Sequence, residues 1–250
     1  MRTGSYRGVR RSAGGSRLCA DAALLFLAST LLTPLTLPGG TIDVSLGPAG
    51  SILCLRPSSP ELVVLAPGGE TTSLDLDGVV IPVSIAAMPD GSFLVCDAAS
   101  DSILRFSSRA ERSHASAAPP GTVAVAASRG EVWCFSVDEG AVSAVLPAVR
   151  RIARVEGFRP ADLSIDGRRA VLSSGAGAFL VEPGSAEPLP GDPACLAGGA
   201  CIVLLGDSLR DVSGVRRPVH AGAGFDRLEG HPDGRVLAWS SSSTAAVLLE

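Results

Sequence analysis

Residues 82–106 read PVSIAAMPDGSFLVCDAASDSILRF, and the order of apolar and turn-forming residues in them decides the architecture. Pro82 marks a strand entry, because a residue without an N–H is tolerated at a strand's first position. Val83–Ala87 follows as a strand-like segment, and Pro89-Asp90-Gly91 is a tight hairpin signal between apolar runs. Phe93–Cys96 is the second run and Ile103–Phe106 the third, with a weaker, polar fourth segment at Glu111–Ser116. Phe93–Cys96 barely alternates between apolar and polar residues, which fits a strand covered on both faces.

The same grammar recurs along the chain. Glycines preceded by a small or turn-forming residue open apolar runs at Ala49-Gly50, Asp90-Gly91, Arg129-Gly130, Asp166-Gly167, Gly198-Gly199 and Asp233-Gly234, with spacings of 41, 39, 37, 32 and 35 residues. A sheet built from so few residues cannot bury its own faces, and repeats of this period stack against one another. The expected fold is all-β: a six-bladed β-propeller of short four-stranded antiparallel blades over residues 41–250. A β-sandwich is the alternative, since short strands with regular turns fit it too. In each Asp-Gly turn both residues are expected to take positive φ.

Residues 82–106 resemble the NHL repeat, in which a Pro, an apolar strand, Pro-Asp-Gly, an apolar strand ending in Asp, a polar loop and Ile-x-x-Phe follow in that order. The close match covers one repeat. The other five share the spacing and the turn, and lack the Asp at the end of the second strand. The resemblance therefore implies a propeller and carries no function. Some six-bladed propeller hydrolases and lyases hold Ca²⁺, often through Asn or His, and this chain has no Asn.

Residues 1–40 read as an export signal or an uncleaved membrane anchor. Arg2, Arg7, Arg10, Arg11 and Arg17 precede the apolar stretch Ala22–Leu32, and Thr33-Pro34 breaks it. That places the protein outside the cytoplasm, periplasmic or secreted, with membrane contact only through this segment. The sixth repeat reaches Glu250 after its third strand. Its fourth strand is expected from Leu31–Leu37; otherwise the blade has three strands.

Residues 41–250 hold 16 basic and 24 acidic residues, a balance that argues against nucleic-acid binding. In a propeller, the loops joining second to third strands and those joining successive blades open on one rim. Asp97, Asp138 and Asp207 belong to the first class, Asp77 and Asp226 to the second, and together they are the candidate ligand-binding residues. Oxygen ligands of this kind suit Ca²⁺, the one cofactor the set admits. Cys54, Cys96 and Cys134 fall on equivalent strands and read as buried small hydrophobes, and Cys195 and Cys201 are offset across a hairpin. His114, His220 and His231 are too scattered to converge. With no assembled catalytic set, the expected function is a binding or scaffold propeller that docks a protein, peptide or envelope ligand on one rim. A Ca²⁺-dependent hydrolase or lyase is the alternative.

Overall fold

A computed structural model describes residues 32–174, 177–205, 208–212, 216–218 and 224–250. The proposed leader's arginines and Cys19 lie outside the described residues, as do Asp207 and His220. Residues 32–250 form one compact unit, a six-bladed β-propeller of four-stranded antiparallel sheets, so the sandwich alternative is set aside.

Its first strand is β1 (Leu32–Thr36). Blade 1 is β2–β5 (Asp43–Leu46, Ile52–Arg56, Glu61–Leu65, Thr71–Asp75), and blade 2 is β6–β9 (Pro82–Ala87, Phe93–Asp97, Ser102–Phe106, Arg112–Ala117). Blade 3 is β10–β13 (Thr122–Ser128, Glu131–Ser136, Ala141–Leu146, Arg150–Arg154), and blade 4 is β14–β17 (Asp162–Ile165, Ala170–Ser174, Gly177–Glu182, Ser185–Pro188). Blade 5 is β18–β21 (Ala194–Ala197, Ala200–Leu205, Ser208–Asp211, Arg216–Pro218), and blade 6 is β22–β24 (Arg227–Gly230, Val236–Trp239, Ala245–Leu249). β1 completes blade 6 by pairing with β24, from Leu32 opposite Leu249 to Thr36 opposite Ala245. The expected closing strand is thus the one used, and it draws part of the segment 1–40 into the propeller.

The hydrophobic core is six cores, one in each gap between neighbouring blades. Ile52 and Cys54 of β3 pack with Leu237 and Trp239 of blade 6, whereas Leu53 and Leu55 of the same strand pack with Phe93 and Phe106 of blade 2. Side chains alternate across a strand, and here both faces meet a neighbour. This explains why the second strands show no polar alternation. Cys96 and Cys134 share the gap between blades 2 and 3. Cys195 faces blade 6 and Cys201 faces blade 4, so the two thiols lie on opposite sides of their sheet. All five described cysteines are free and buried.

The hairpin turns correct one expectation. At Ala49-Gly50, Arg129-Gly130 and Gly198-Gly199 both residues have positive φ. In the Asp-Gly turns only the glycine does, with φ of 80° at Gly91, 101° at Gly167 and 99° at Gly234. The reason is an alternative bond. Each aspartate accepts the amide two residues on, at Ser92, Arg168 and Arg235, so the side chain makes the turn and its own backbone stays right-handed.

Each blade's inner strand has a free edge whose N–H groups need acceptors. Between blades 1 and 2, 2 and 3, and 4 and 5, side chains of the preceding blade supply some of them. Asp43 accepts from Ile85 at 2.8 Å, and Ser45 from Ala87 at 3.0 Å. Ser84 accepts from Val125 at 3.1 Å, and Ser164 from Leu196 at 2.9 Å. Between blades 5 and 6 a backbone bond runs from the Gly198 N–H of blade 5 to the His231 carbonyl of blade 6 at 3.1 Å.

Candidate functional site

The inner strands carry charge in three blades. Asp43 opens β2, Asp162 opens β14, and Arg227 and Glu229 lie on β22. The inner strands of a propeller surround its central channel. Blades 1 and 4 stand on opposite sides of the ring, so their carboxylates feel each other only near the axis. Burial pushes the Asp43 carboxyl up to about 6 against the hydrogen bonds that hold it. Burial, and then repulsion by Asp43, push Asp162 up to about 8. Glu229 is driven well above the carboxylate range by burial first, then by Asp162 and Asp43. One Glu229 oxygen accepts from Ser45 Oγ at 3.0 Å and from the Leu46 amide at 3.4 Å. Ser45 therefore links blades 6, 1 and 2. Arg227, whose field favours the ionised forms of Asp43 and Asp162, lies 5.9 Å from the centre of the Trp239 ring.

Because Asp43, Asp162 and Arg227 all begin their strands, this cluster opens toward the rim formed by the blade-to-blade connections. The four described rim candidates, Asp77, Asp97, Asp138 and Asp226, lie on loops or a strand end of that same face and split into two kinds. Asp97 is 1% exposed. Its carboxylate accepts from the amides of Ile81 at 2.7 Å, Val80 at 3.3 Å and Ala99 at 3.4 Å, and from Ser100 Oγ at 2.7 Å. Burial opposes ionisation there, but these donors outweigh it and hold the group below the usual carboxylate range. Asp226 similarly accepts from the Ser241 amide at 2.7 Å and from its hydroxyl. Both carboxylates hold loops in place. Asp77 and Asp138 are exposed on their loops, with Asp138 lying against Gly121. Among the described residues no three His, Cys, Asp or Glu side chains stand close enough to share a metal ion.

What Asp97 holds is an apolar knuckle. Val80 is 66% exposed and Ile81 53% exposed in the connection entering blade 2, and Ile42, exposed as well, precedes Asp43 in the connection entering blade 1. Sequence reasoning missed both the knuckle and the axial carboxylates. The available signals were Val-Val-Ile directly before the strand-opening Pro82, and charges inside otherwise apolar first strands: Asp43-Val-Ser, Asp162-Leu-Ser and Arg227-Leu-Glu.

No protein-family model matches the chain, and no curated protein sequence matches it. Solved structures do resemble it. A gluconolactonase from Xanthomonas campestris aligns with a TM-score of 0.62 at 14% identity, over 91% of this chain and 92% of that one. The nidogen/laminin complex aligns at 0.60 and 15% identity, over 76% and 83%. A virginiamycin B lyase from Staphylococcus aureus aligns at 0.58 and 11% identity, over 84% and 82%. The group contains enzymes and a protein–protein complex. At such identities the likeness establishes the propeller and leaves function to the site.

Proposed function

We propose that this chain is a binding propeller that docks a protein or peptide on its connection rim, and that it works outside the cytoplasm. The observation that carries the reading is the Val80-Ile81 knuckle. Two large apolar side chains stand in solvent on a loop pinned by a buried carboxylate. Rigid apolar anchors ringed by polar groups suit the centre of a protein interface. The axial carboxylates add polar recognition and little net charge: near neutral pH Asp162 and Glu229 keep their protons, and Arg227 balances Asp43. The location rests on the arginines and the apolar stretch Ala22–Leu32.

The test is to pan a random-peptide phage library against the full chain and measure the selected peptides by calorimetry. Enriched sequences should be rich in apolar residues, and Val80→Asp/Ile81→Asp should abolish their binding without changing the unfolding temperature. Peptides that bind the double variant equally well would refute the rim assignment. The Ca²⁺-dependent hydrolase or lyase alternative is checked on the same protein: lactone or ester turnover that requires added Ca²⁺ would replace the binding reading.

A further inference from the structure

The opposite face, where the inner hairpins turn, has a different chemistry. The turns of blades 3 to 6 line a half-open cavity of about 510 Å³ whose wall includes Arg129, Glu131, Asp166, Arg168, Arg169 and Gly199. Arg169 is already engaged: it donates to Asp166 at 2.7 Å and to the Gly199 carbonyl at 2.9 Å. Arg129 and Arg168 are exposed, and their guanidinium groups have no hydrogen-bond or ion-pair partner among the described residues. Arg129 comes from the blade 3 turn and its Cδ passes over the blade 4 turn, 3.7 Å from where a Cβ on Gly167 would stand.

The carboxylates in the same wall are already engaged: Glu131 accepts from Trp133 Nε1 at 2.8 Å and pairs with Arg150 at 3.6 Å, and Asp166 pairs with Arg169 at 2.7 Å. Arg129 and Arg168 therefore bring to the wall two guanidinium groups with no counter-charge among the described residues. Planar guanidinium forks match the oxygens of phosphate and carboxylate, and Arg is the residue suited to that pairing.

We propose that this cavity binds a small doubly charged oxyanion, a phosphate monoester or a dicarboxylate, with Arg129 and Arg168 as its charge partners. The volume lies within the range of small-molecule sites, about 300–1,000 Å³. The site is on the far face from the connection rim and uses none of its residues, so the two proposals stand or fall separately.

The experiment titrates the full chain with inorganic phosphate and with succinate, following thermal unfolding against sodium chloride of equal ionic strength. A saturable rise in unfolding temperature is expected with at least one of the two, and which anion gives it identifies the source. Arg129→Ala/Arg168→Ala should weaken that binding at least tenfold, while Arg109→Ala, on an exposed turn of blade 2, should leave it unchanged. The proposal is overturned if neither anion exceeds the chloride control, or if the double variant binds as wild type does. Asp162→Asn should leave anion binding intact; a loss there would move the site to the axis and also overturn the assignment.

Discussion

Replacing Asp162 by Asn should change how stability depends on pH more than it changes the fold. In the folded protein the Asp162 carboxyl keeps its proton up to about 8, against 3.8 for the free group, because burial and the field of Asp43 disfavour the anion. The unfolded chain gives up that proton near pH 4. Between those values the folded state binds more protons, so stability falls as pH rises through the window. Each unit of separation corresponds to about 1.4 kcal/mol, which puts the ceiling near 6 kcal/mol and the change between pH 5 and pH 8 at about 2–4 kcal/mol once the cluster shares its protons. Asp43, raised to about 6, contributes with the same sign in the lower part of the window. Asp90, Asp97 and Asp233 are held below the ordinary range, so their opposite contribution is confined to more acidic solutions. Asn cannot ionise and keeps an oxygen for the Leu163 amide, now 2.7 Å from Asp162. Urea unfolding at unit steps from pH 5 to pH 8 gives the curve for each protein. The stability of Asp162→Asn relative to wild type should rise by the stated amount between pH 5 and pH 8. Parallel curves would show that Asp162 ionises as if solvated, and the axial placement would be wrong.

Other positions test the blade contacts. Ser45→Ala removes the donor to Glu229 and the acceptor of the Ala87 amide, and should cost about 1–3 kcal/mol in urea unfolding; a loss under a few tenths would mean that the three-blade link contributes nothing. Gly230→Ala would place a Cβ 2.1 Å from the Leu196 carbonyl oxygen, so the inner strands of blades 5 and 6 must part, at about 3 kcal/mol or more. Gly68→Ala, with nothing within 4 Å of the added carbon, is its neutral control. Asp97→Ala strands three amides and a hydroxyl. It should cost about 2–3 kcal/mol and speed hydrogen exchange at Val80 and Ile81; unchanged exchange would argue against the pinned knuckle. Burial pushes the Cys54, Cys96 and Cys134 thiols up to about 12. In a Cys19→Ser background a thiol reagent should therefore label the native protein slowly and the urea-unfolded protein at every cysteine.

The blade count was legible because Gly50, Gly91, Gly130, Gly167, Gly199 and Gly234 are all needed for one local reason: each takes a positive φ in a hairpin turn. The both-face burial of the second strands was legible in Phe93–Cys96 for the same local reason. Closure was legible only as a choice between Leu31–Leu37 and a three-stranded blade, since β1 pairs with a strand more than two hundred residues away. The axial carboxylates were not legible. Asp43 and Asp162 each read as a polar strand end, and their mutual repulsion depends on the angular positions of blades 1 and 4, which a repeat length does not encode. Asp97 was misleading in its own way. A carboxylate closing an apolar strand looks like a ligand facing solvent, yet the connection at residues 80–81 folds over it and turns it into a structural acceptor.

A repeat protein gives each position several copies, and a departure at one copy is where a specific property can reside. The first residue of the inner strand is Asp43, Pro82, Thr122, Asp162, Ala194 and Arg227 in blades 1 to 6. Were charge there a requirement of the blade, all six would carry it. Blades 2, 3 and 5 close without it, using Ser84, a packed alanine, or the Gly230 approach. The charges in blades 1, 4 and 6 are therefore additions to a scaffold that the neutral blades show to be sufficient. Their burial works against stability at neutral pH, and a group kept at such a cost is better explained by what it meets at the axis than by the ring it interrupts. The hairpin-face cavity follows the same logic from the other side. Arg129 takes a left-handed φ of 51°, as Ala49 and Gly198 do in blades 1 and 5, whereas blades 2, 4 and 6 place aspartate there without a positive φ. That conformation costs an ordinary side chain about 1–2 kcal/mol, and here it carries the arginine over the turn of the next blade.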